Sequence, residues 1–550
     1  MNNQDTFITN RSKHVFLFFA FLFFGIFAFA QTSNWTWMHG DTTGYGPEVI
    51  GTMGVAAPAN TPNSLYESAR WKDANGNLWI FGGVLGGYEY GAMWKFDPMT
   101  NMWAYMNGVP SFNIMGVYGT QGVASPSNHP GSRGWGAASW TDNNGDLWLF
   151  GGWGMDVAGQ TGPLGDLWRY HIATNEWTWM SGSQNAYYNG SYGTIQVPNV
   201  SNAPPSRQEC IANWVDNNGD LWLYGGNLQS TTNYGDMWRY NIASNTWTWM
   251  NGNYSSGPVW GVMQVPSPSN SPGSRGSASS WTDSQGKFWL YGGTMFGNNI
   301  EFGDMWRYDP VTNIWTWMAG SSGFNPNCTF TTPNVAGNGV PGSRFEVKST
   351  WKDACDHLWA FGGFTDPSSQ VFPWDELWMF DPSTNLFTWV DGLNHWGGSG
   401  SFGTSQVPAA TNYPAGTGGA STFMDDSGFV WMFGGWILNT TSGGINTLWR
   451  YQPVPDSCSI TTGIIHSSEN NFIAYPNPGQ GTVYVQLSDN LKLNGLQIQL
   501  YDVTGKCVET KKDFQTNFIE LNPKASGMYF IVLSNEQGKI LGNTRIIISK

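Results

Sequence analysis

The 550-residue chain carries a unit of about 70 residues that returns six times, and no other feature limits its fold as tightly. The clearest copy spans residues 130–182. It reads PGSRGWGAASWTDNNGDLWLFGG, then a variable stretch, then GDLWRYHIATNEWTWMSG. The pattern returns at Pro204, Pro272 and Pro341, with weaker copies near Pro62 and Pro414. An aromatic–Gly–Gly landmark marks each copy, at Phe81, Phe150, Tyr224, Tyr291, Phe361 and Phe433. A unit this short cannot bury its own apolar face, so successive copies must pack on one another.

Each unit reads as four short strands. In the clearest copy they are residues 136–140, 146–150, 166–170 and 177–180. The run Asp142-Asn143-Asn144-Gly145 supplies a hairpin turn between the first two, because Asn and Gly tolerate positive φ. Leu147 and Leu149 point to one face of the second strand, and Trp148 and Phe150 to the other. A strand apolar on both faces lies between two other layers, which blades stacked around an axis provide. The first strand is the least bulky, as convergence on an axis requires. The fourth carries large aromatics such as Trp177 and Trp179, as splaying blades require.

The ends of the repeat array complement each other. Asn34-Trp35-Thr36-Trp37-Met38 reads as a fourth strand with no unit before it. The last unit stops at Leu448-Trp449-Arg450-Tyr451 without a fourth strand. The expectation is an all-β, six-bladed propeller in which the N-terminal strand completes the last blade, leaving no open sheet edge.

These units resemble kelch repeats, as in the galactose-oxidase central domain. The family pattern has an Arg opening the first strand, Gly-Gly closing the second, then a Tyr and a Trp. Here those are Arg133, Gly151-Gly152, Tyr170 and Trp177, repeated as Arg207, Gly225-Gly226, Tyr240 and Trp247, and again as Arg275, Gly292-Gly293, Tyr308 and Trp315. The next unit has Arg344 and Gly362-Gly363, with Phe380 and Phe387 for the Tyr and Trp. Leu65 and Thr417 stand near the Arg position of the outermost units, which depart from the pattern. The resemblance covers residues 31 to about 455 and speaks for the fold more than for a function.

Composition narrows the classes further. Charged residues are 11% and aromatics 16%, with 33 Trp, which excludes a disordered chain and a coiled coil. Gly (71) and Pro (29) show no Gly-X-Y period, which excludes collagen. The net charge of −14 repels phosphate backbones, so no nucleic-acid partner is expected. The five Cys form no CxxC pair; neither a zinc site nor a disulfide scaffold is implied, and a single bridge stays open.

Two flanking segments point to export. Arg11, Lys13 and His14 precede an apolar run, residues 15–29, and Ala28-Phe29-Ala30 fits a cleavage signal. Residues 1–30 read as a signal peptide, 31–455 as the propeller, 456–471 as a linker, and 472–550 as a small β-sandwich. Strands are expected at residues 482–487, 496–501, 518–521, 527–533 and 545–548, with a hairpin turn at 502–506. The Tyr475-Pro476-Asn477-Pro478 start, the Tyr501-Asp502-Val503-Thr504-Gly505-Lys506 turn, Gly527-Met528-Tyr529-Phe530 and the basic end at Lys550 resemble the type A sorting domain of type IX secretion cargo. That resemblance implies the type IX machinery of a Bacteroidota-type bacterium as a partner. It also implies an extracellular or outer-membrane-surface location, removal of the domain, and attachment of many such cargoes to surface lipopolysaccharide.

Within the propeller, the first-to-second and third-to-fourth turns are short and share one face. The second-to-third and fourth-to-first loops are long and share the other, including residues 184–203, 252–271, 321–340 and 393–413. Long loops on a rigid ring are where binding resides, and Tyr187, Tyr188, Tyr192, Trp260, Trp374 and Trp396 are candidates for stacking on a sugar there. Arg133, Arg207, Arg275 and Arg344 are candidate anion ligands, since the guanidinium fork suits carboxylates and an Arg at this kelch position contacts ligand in some relatives; a repeated structural hydrogen bond is the competing reading. Asp142-Asn143-Asn144-Gly145-Asp146 has calcium-loop residue types, but no distal Glu follows, so it is read as a turn. His39, His129, His171, His357 and His395 fall at different blade positions and show no paired spacing for a copper site. No GxSxG or HExxH occurs. No catalytic residue, cofactor or metal is assigned. The sequence therefore reads as a secreted or cell-surface non-catalytic binding module for a glycan or protein partner on the long-loop face. A kelch-type sugar-modifying enzyme (oxidase or sialic acid mutarotase) and a structural adhesin stay open as alternatives.

Overall fold

The computed structural model describes residues 35–548 apart from 43, 45, 230–231, 338, 366–370, 439–442, 454–471, 476–481, 488–490, 503–505, 513 and 536–539. The expected signal peptide and linker lie outside the described residues. The regular elements described are all strands.

Six antiparallel sheets share one strand order, and the first carries an extra two-residue strand, Val84–Leu85. In the second sheet Ala138–Thr141, Leu147–Phe150, Gly165–His171 and Glu176–Ser183 pair in chain order. The hairpin between the first two strands is built by one aspartate. Asp142 Oδ1 accepts the backbone N–H of Asn144 and Asp146 at 2.8 and 3.0 Å, and Oδ2 accepts Trp148 Nε1 at 2.8 Å. Asp73, Asp216, Asp283, Asp353 and Asp425 make the same bond to Trp79, Trp222, Trp289, Trp359 and Trp431 at 2.7–2.9 Å. Both oxygens are spent inside the turn, so the residue types that suggest a cation loop instead set the strand register.

The inner strands contact one another in a circle: Ala69–Lys72, Ala138–Thr141, Ala212–Val215, Ser279–Thr282, Thr350–Lys352, Ser421–Met424, and back to the first. Small polar side chains stitch neighbours together. Ser139 Oγ donates to Arg70 O at 2.9 Å, Asn213 Nδ2 to Ser139 O at 2.7 Å, and Thr422 Oγ1 to Thr350 O at 3.0 Å. Short hydroxyl and amide side chains such as Ser139, Asn213 and Thr422 fit where six strands converge, while the one large aromatic of each first strand, such as Trp140, packs into the core between blades.

The Gly-Gly landmark forms the joint between blades. The second glycine of each pair donates its N–H to the backbone carbonyl at the arginine position of the next blade, at 2.7–3.0 Å. The series includes Gly152 to Arg207 and Gly363 to Thr417, and closes with Gly435 to Leu65. Because the acceptor is backbone, the joint survives where Leu65 and Thr417 replace Arg. Gly152 has φ +84°, and a Cβ on Gly151 would sit 2.7 Å from Arg207 O, so the sequence uses glycine at both places.

Aromatic pairs fill the wedge at every joint. Phe81 meets Trp177 at 5.5 Å, Phe150 meets Trp247 at 5.5 Å, Tyr224 meets Trp315 at 5.3 Å, and Tyr291 meets Phe387 at 5.5 Å. Phe433 meets Trp103 at 4.9 Å, and Phe361 meets Trp35 at 5.2 Å. Trp35 therefore takes the place of a fourth-strand Trp. Its strand, Trp35–His39, pairs antiparallel with Leu448–Tyr451, placing Trp35 opposite Tyr451 and Trp37 opposite Trp449. The N-terminal strand is the outer strand of the last sheet.

The C-terminal segment forms a second core between two sheets. One contains Phe472–Tyr475, Val483–Leu487 and Phe518–Leu521; the other contains Cys507–Lys512, Leu496–Asp502, Gly527–Asn535 and Ile540–Ile548. Alternate residues such as Val483, Val485, Ile498, Leu500, Ile531 and Leu533 face inward. Phe472–Tyr475 and Cys507–Lys512 were not expected as strands. Cys507–Lys512 is polar and mostly exposed on both faces, so it carries no alternation to read.

Candidate functional site

The long fourth-to-first loops leave from one face of the ring, but they do not fold in over it. Each turns outward and binds the outer strand of the following blade. Gln196, Gln264, Asn334 and Gln406 donate their N–H to Trp249 O, Trp317 O, Trp389 O and Trp37 O at 2.7–2.8 Å. Asn202 Nδ2 adds bonds to Trp247 O and Val197 O, both 3.0 Å. The loops thus cover the sheet edges that would otherwise pair with other chains.

The repeated arginines are buried and paired inside their own blades. Arg207 Nη1 and Nη2 grip Asp236 Oδ1 and Oδ2 at 2.8 and 2.9 Å, and Nη1 also binds Gly225 O at 3.0 Å. Arg133 holds Asp166 and Gly151 O, and Arg275 holds Asp304 and Gly292 O, in the same way. Burial alone would raise Asp236, but the adjacent guanidinium outweighs it and holds the carboxyl below the usual range. Arg344 differs. Only Nη2 reaches Glu376, at 2.7 and 2.9 Å, while Nη1 is spent on Ser343 O. Without the fork, burial prevails and Glu376 is pushed up to about 7. These forks face carboxylates of the protein itself, which corrects their reading as open anion ligands.

The candidate aromatics divide. Tyr192 Oη donates to Asp236 Oδ2 at 2.7 Å, and Trp260 Nε1 to Asp304 Oδ2 at 2.9 Å, so both complete the arginine locks. Tyr118, absent from the sequence candidates, does the same for Asp166 at 2.6 Å. Trp374 lies over the Arg344 guanidinium at 4.1 Å and donates to Thr365 Oγ1 at 3.0 Å. Tyr187 is half-buried, edge-on to Trp153 at 6.3 Å, and Tyr188 is half-buried with its N–H on Ser206 Oγ at 2.9 Å. Trp396 alone of the six is exposed, at 47%, with Phe372 beneath it at 4.0 Å. Sequence reasoning missed Tyr88, Tyr254 and Phe324, which are 58, 63 and 51% exposed. Tyr254, Phe324 and Trp396 lie in fourth-to-first loops, and Tyr88 is the first residue of the third strand of the first blade. Among the described residues they are the exposed aromatics of the propeller.

A second cluster lies at the axis, where the loops enter the inner strands. Two residues beyond each arginine position stand Glu67, Trp135, Glu209, Ser277, Glu346 and Gly419. All have φ between 51 and 69°, an uncommon region for the five that are not glycine. Blade-to-blade backbone bonds of 2.6–3.0 Å run between them: Glu67 N to Gly419 O, Gly419 N to Glu346 O, Glu346 N to Ser277 O, Ser277 N to Glu209 O, and Glu209 N to Trp135 O. This turn aims three side chains inward, so that Glu67, Glu209 and Glu346 bring carboxylate oxygens within 4.8 Å of one another, all buried. Burial, then the neighbouring carboxylates, push Glu209 and Glu346 well above the usual range. Burial also raises Glu67, against the pull of Lys348. The signal was present in the sequence as Glu at one repeat position in alternate units.

Fold and tail together define an exported β-propeller. Residues 473–549 match the family of secretion system C-terminal sorting domains, which implies type IX export to the cell surface or beyond. No curated protein matches the chain. A solved structure titled "Structure of YjhT" aligns with a TM-score of 0.45 and 13% identity, over 74% of this chain and 98% of that one.

Proposed function

We propose that the propeller is a kelch-type, non-catalytic binding module that holds a glycan or protein partner on its long-loop face, at the surface to which the tail delivers it. The observation that carries this is the exposure of Tyr88, Tyr254, Phe324 and Trp396 at the long-loop ends of their blades while the blades bury twelve Trp to below 2% exposure. Exposed rings on a rigid ring bind with little ordering cost, and an aromatic face suits the apolar face of a sugar. The test is a glycan array probed with the purified exported chain, repeated with Tyr254→Ala and Trp396→Ala. Saturable binding without turnover is expected, and loss of a contacting ring should weaken it about tenfold. Turnover of a bound sugar, or binding unchanged in both variants, would overturn the reading.

A protein-contact reading, as in an adhesin, draws support from a different feature. Val55, Val123, Val197, Val265, Val335 and Val407 occupy one position of the six long loops, and each is about half exposed. Cell aggregation by the purified chain, with no binding on the array, would favour it. Cleavage of the sorting domain and attachment to lipopolysaccharide belong to the same proposal of surface display.

A further inference from the structure

We propose that Glu67, Glu209 and Glu346, with Ser277 Oγ, bind one divalent, oxygen-preferring cation of the calcium class on the propeller axis. This goes beyond the partner reading and stands whether or not a glycan binds. It also departs from the sequence reading, which assigned no metal.

Three observations meet here. The carboxylate oxygens lie within 4.8 Å of one another. Ligands on opposite sides of a cation held at about 2.3–2.6 Å are separated by about 5 Å at most, so the three fit a single ion. No hydrogen bond of ordinary geometry reaches the buried oxygens Glu67 Oε2, Glu209 Oε2 and Ser277 Oγ, although the Ser277 hydroxyl interacts with the Glu209 carboxyl and the Glu346 carboxyl with that of Glu67. Unpaired buried oxygens are costly, and a shared cation satisfies all three at once.

The third observation is charge. Lys348 is the cation that offsets the cluster, and its Nζ donates to Ser68 O at 3.2 Å. Burial favours protons on Glu209 and Glu346 in the empty cluster; a divalent ion that displaces them balances, together with the one ammonium, the three carboxylates. Carboxylates with a hydroxyl select hard cations. Cys210 Sγ donates to Glu67 Oε1 at 3.1 Å, so this sulfur acts as a hydrogen-bond donor to the cluster. The three glutamates come from alternate blades. A bound ion therefore ties blades one, three and five together at the end of the axis where the long loops enter.

The experiment is calorimetric titration of the chelator-treated full chain with calcium, magnesium and zinc separately, alongside thermal melting. One calcium per chain and a calcium-dependent rise in melting temperature are expected. Glu209→Gln and Glu346→Gln should each weaken calcium binding at least about tenfold. Each should melt in chelator at least as high as the wild type, because Gln replaces a buried carboxyl that ionises only at a cost; this readout shows that the variants fold. Ser277→Ala is the milder variant and should weaken binding without altering the fold. No calcium binding by the wild type overturns the proposal, as does equal binding by the Gln variants. Preference for zinc with dependence on Cys210 also overturns it.

Discussion

Arg207→Ala is expected to lower the unfolding free energy by about 3–5 kcal/mol, because it strands a carboxylate in the interior. Asp236 is buried, and its two oxygens accept Arg207 Nη1 and Nη2, Tyr192 Oη and Trp238 Nε1. Removing the guanidinium leaves a negative charge with two neutral donors. Equilibrium urea unfolding measures the loss. The double replacement Arg207→Met with Asp236→Leu should restore most of it, since exchanging a whole buried pair for apolar volume is close to neutral. The chain already contains such exchanges. Where Leu65 and Thr417 stand at the arginine position, Ala92 and Thr447 stand at the acid position, so the charges are absent as pairs. A single replacement as stable as the wild type would show that the forks are not what locks the loops.

Trp35→Ala should cost a comparable amount, about 3–5 kcal/mol. Trp35 is fully buried, with Tyr451, Phe361 and Trp449 at 4.8, 5.2 and 6.4 Å. Trp177 has a similar environment, but its strand is joined to the third strand of its own blade by a tight turn. Among the described residues the strand of Trp35 has no such turn to the last sheet and is held there by pairing and packing. Trp35→Ala should therefore accelerate unfolding more than Trp177→Ala does, a difference that stopped-flow unfolding measures. Equal unfolding rates would argue that both strands leave the ring in the same step.

The parts of this fold that were legible are those that recur. The hairpin aspartates, the Gly-Gly landmarks and the aromatic strands each answer to a local rule repeated about every 70 residues. The two complementary end fragments followed from counting strands. What stayed hidden depends on partners far apart in sequence. The arginines are legible as a repeat, but their partners lie about 30 residues on, at the head of the third strand, and only the pairing turns an apparent ligand fork into a lock. Tyr192 and Trp260 were drawn as ligand-facing because their loops are long, yet an indole N–H or phenol beside a buried carboxylate turns inward. Trp396 has Phe372 beneath it, which leaves one face open. The glutamate cluster escaped because it alternates: Glu67, Glu209 and Glu346 skip a blade each time, with Trp135, Ser277 and Gly419 between them, so a pattern averaged over the units erases it.

Hydrogen–deuterium exchange tests the closed ring, on which both the recognition face and the axial cluster depend. The peptide containing Trp35–His39 should be protected as strongly as the one containing Leu448–Tyr451, and the two should lose protection together in denaturant. Exchange of the N-terminal peptide within seconds, while Leu448–Tyr451 stays protected, would contradict it.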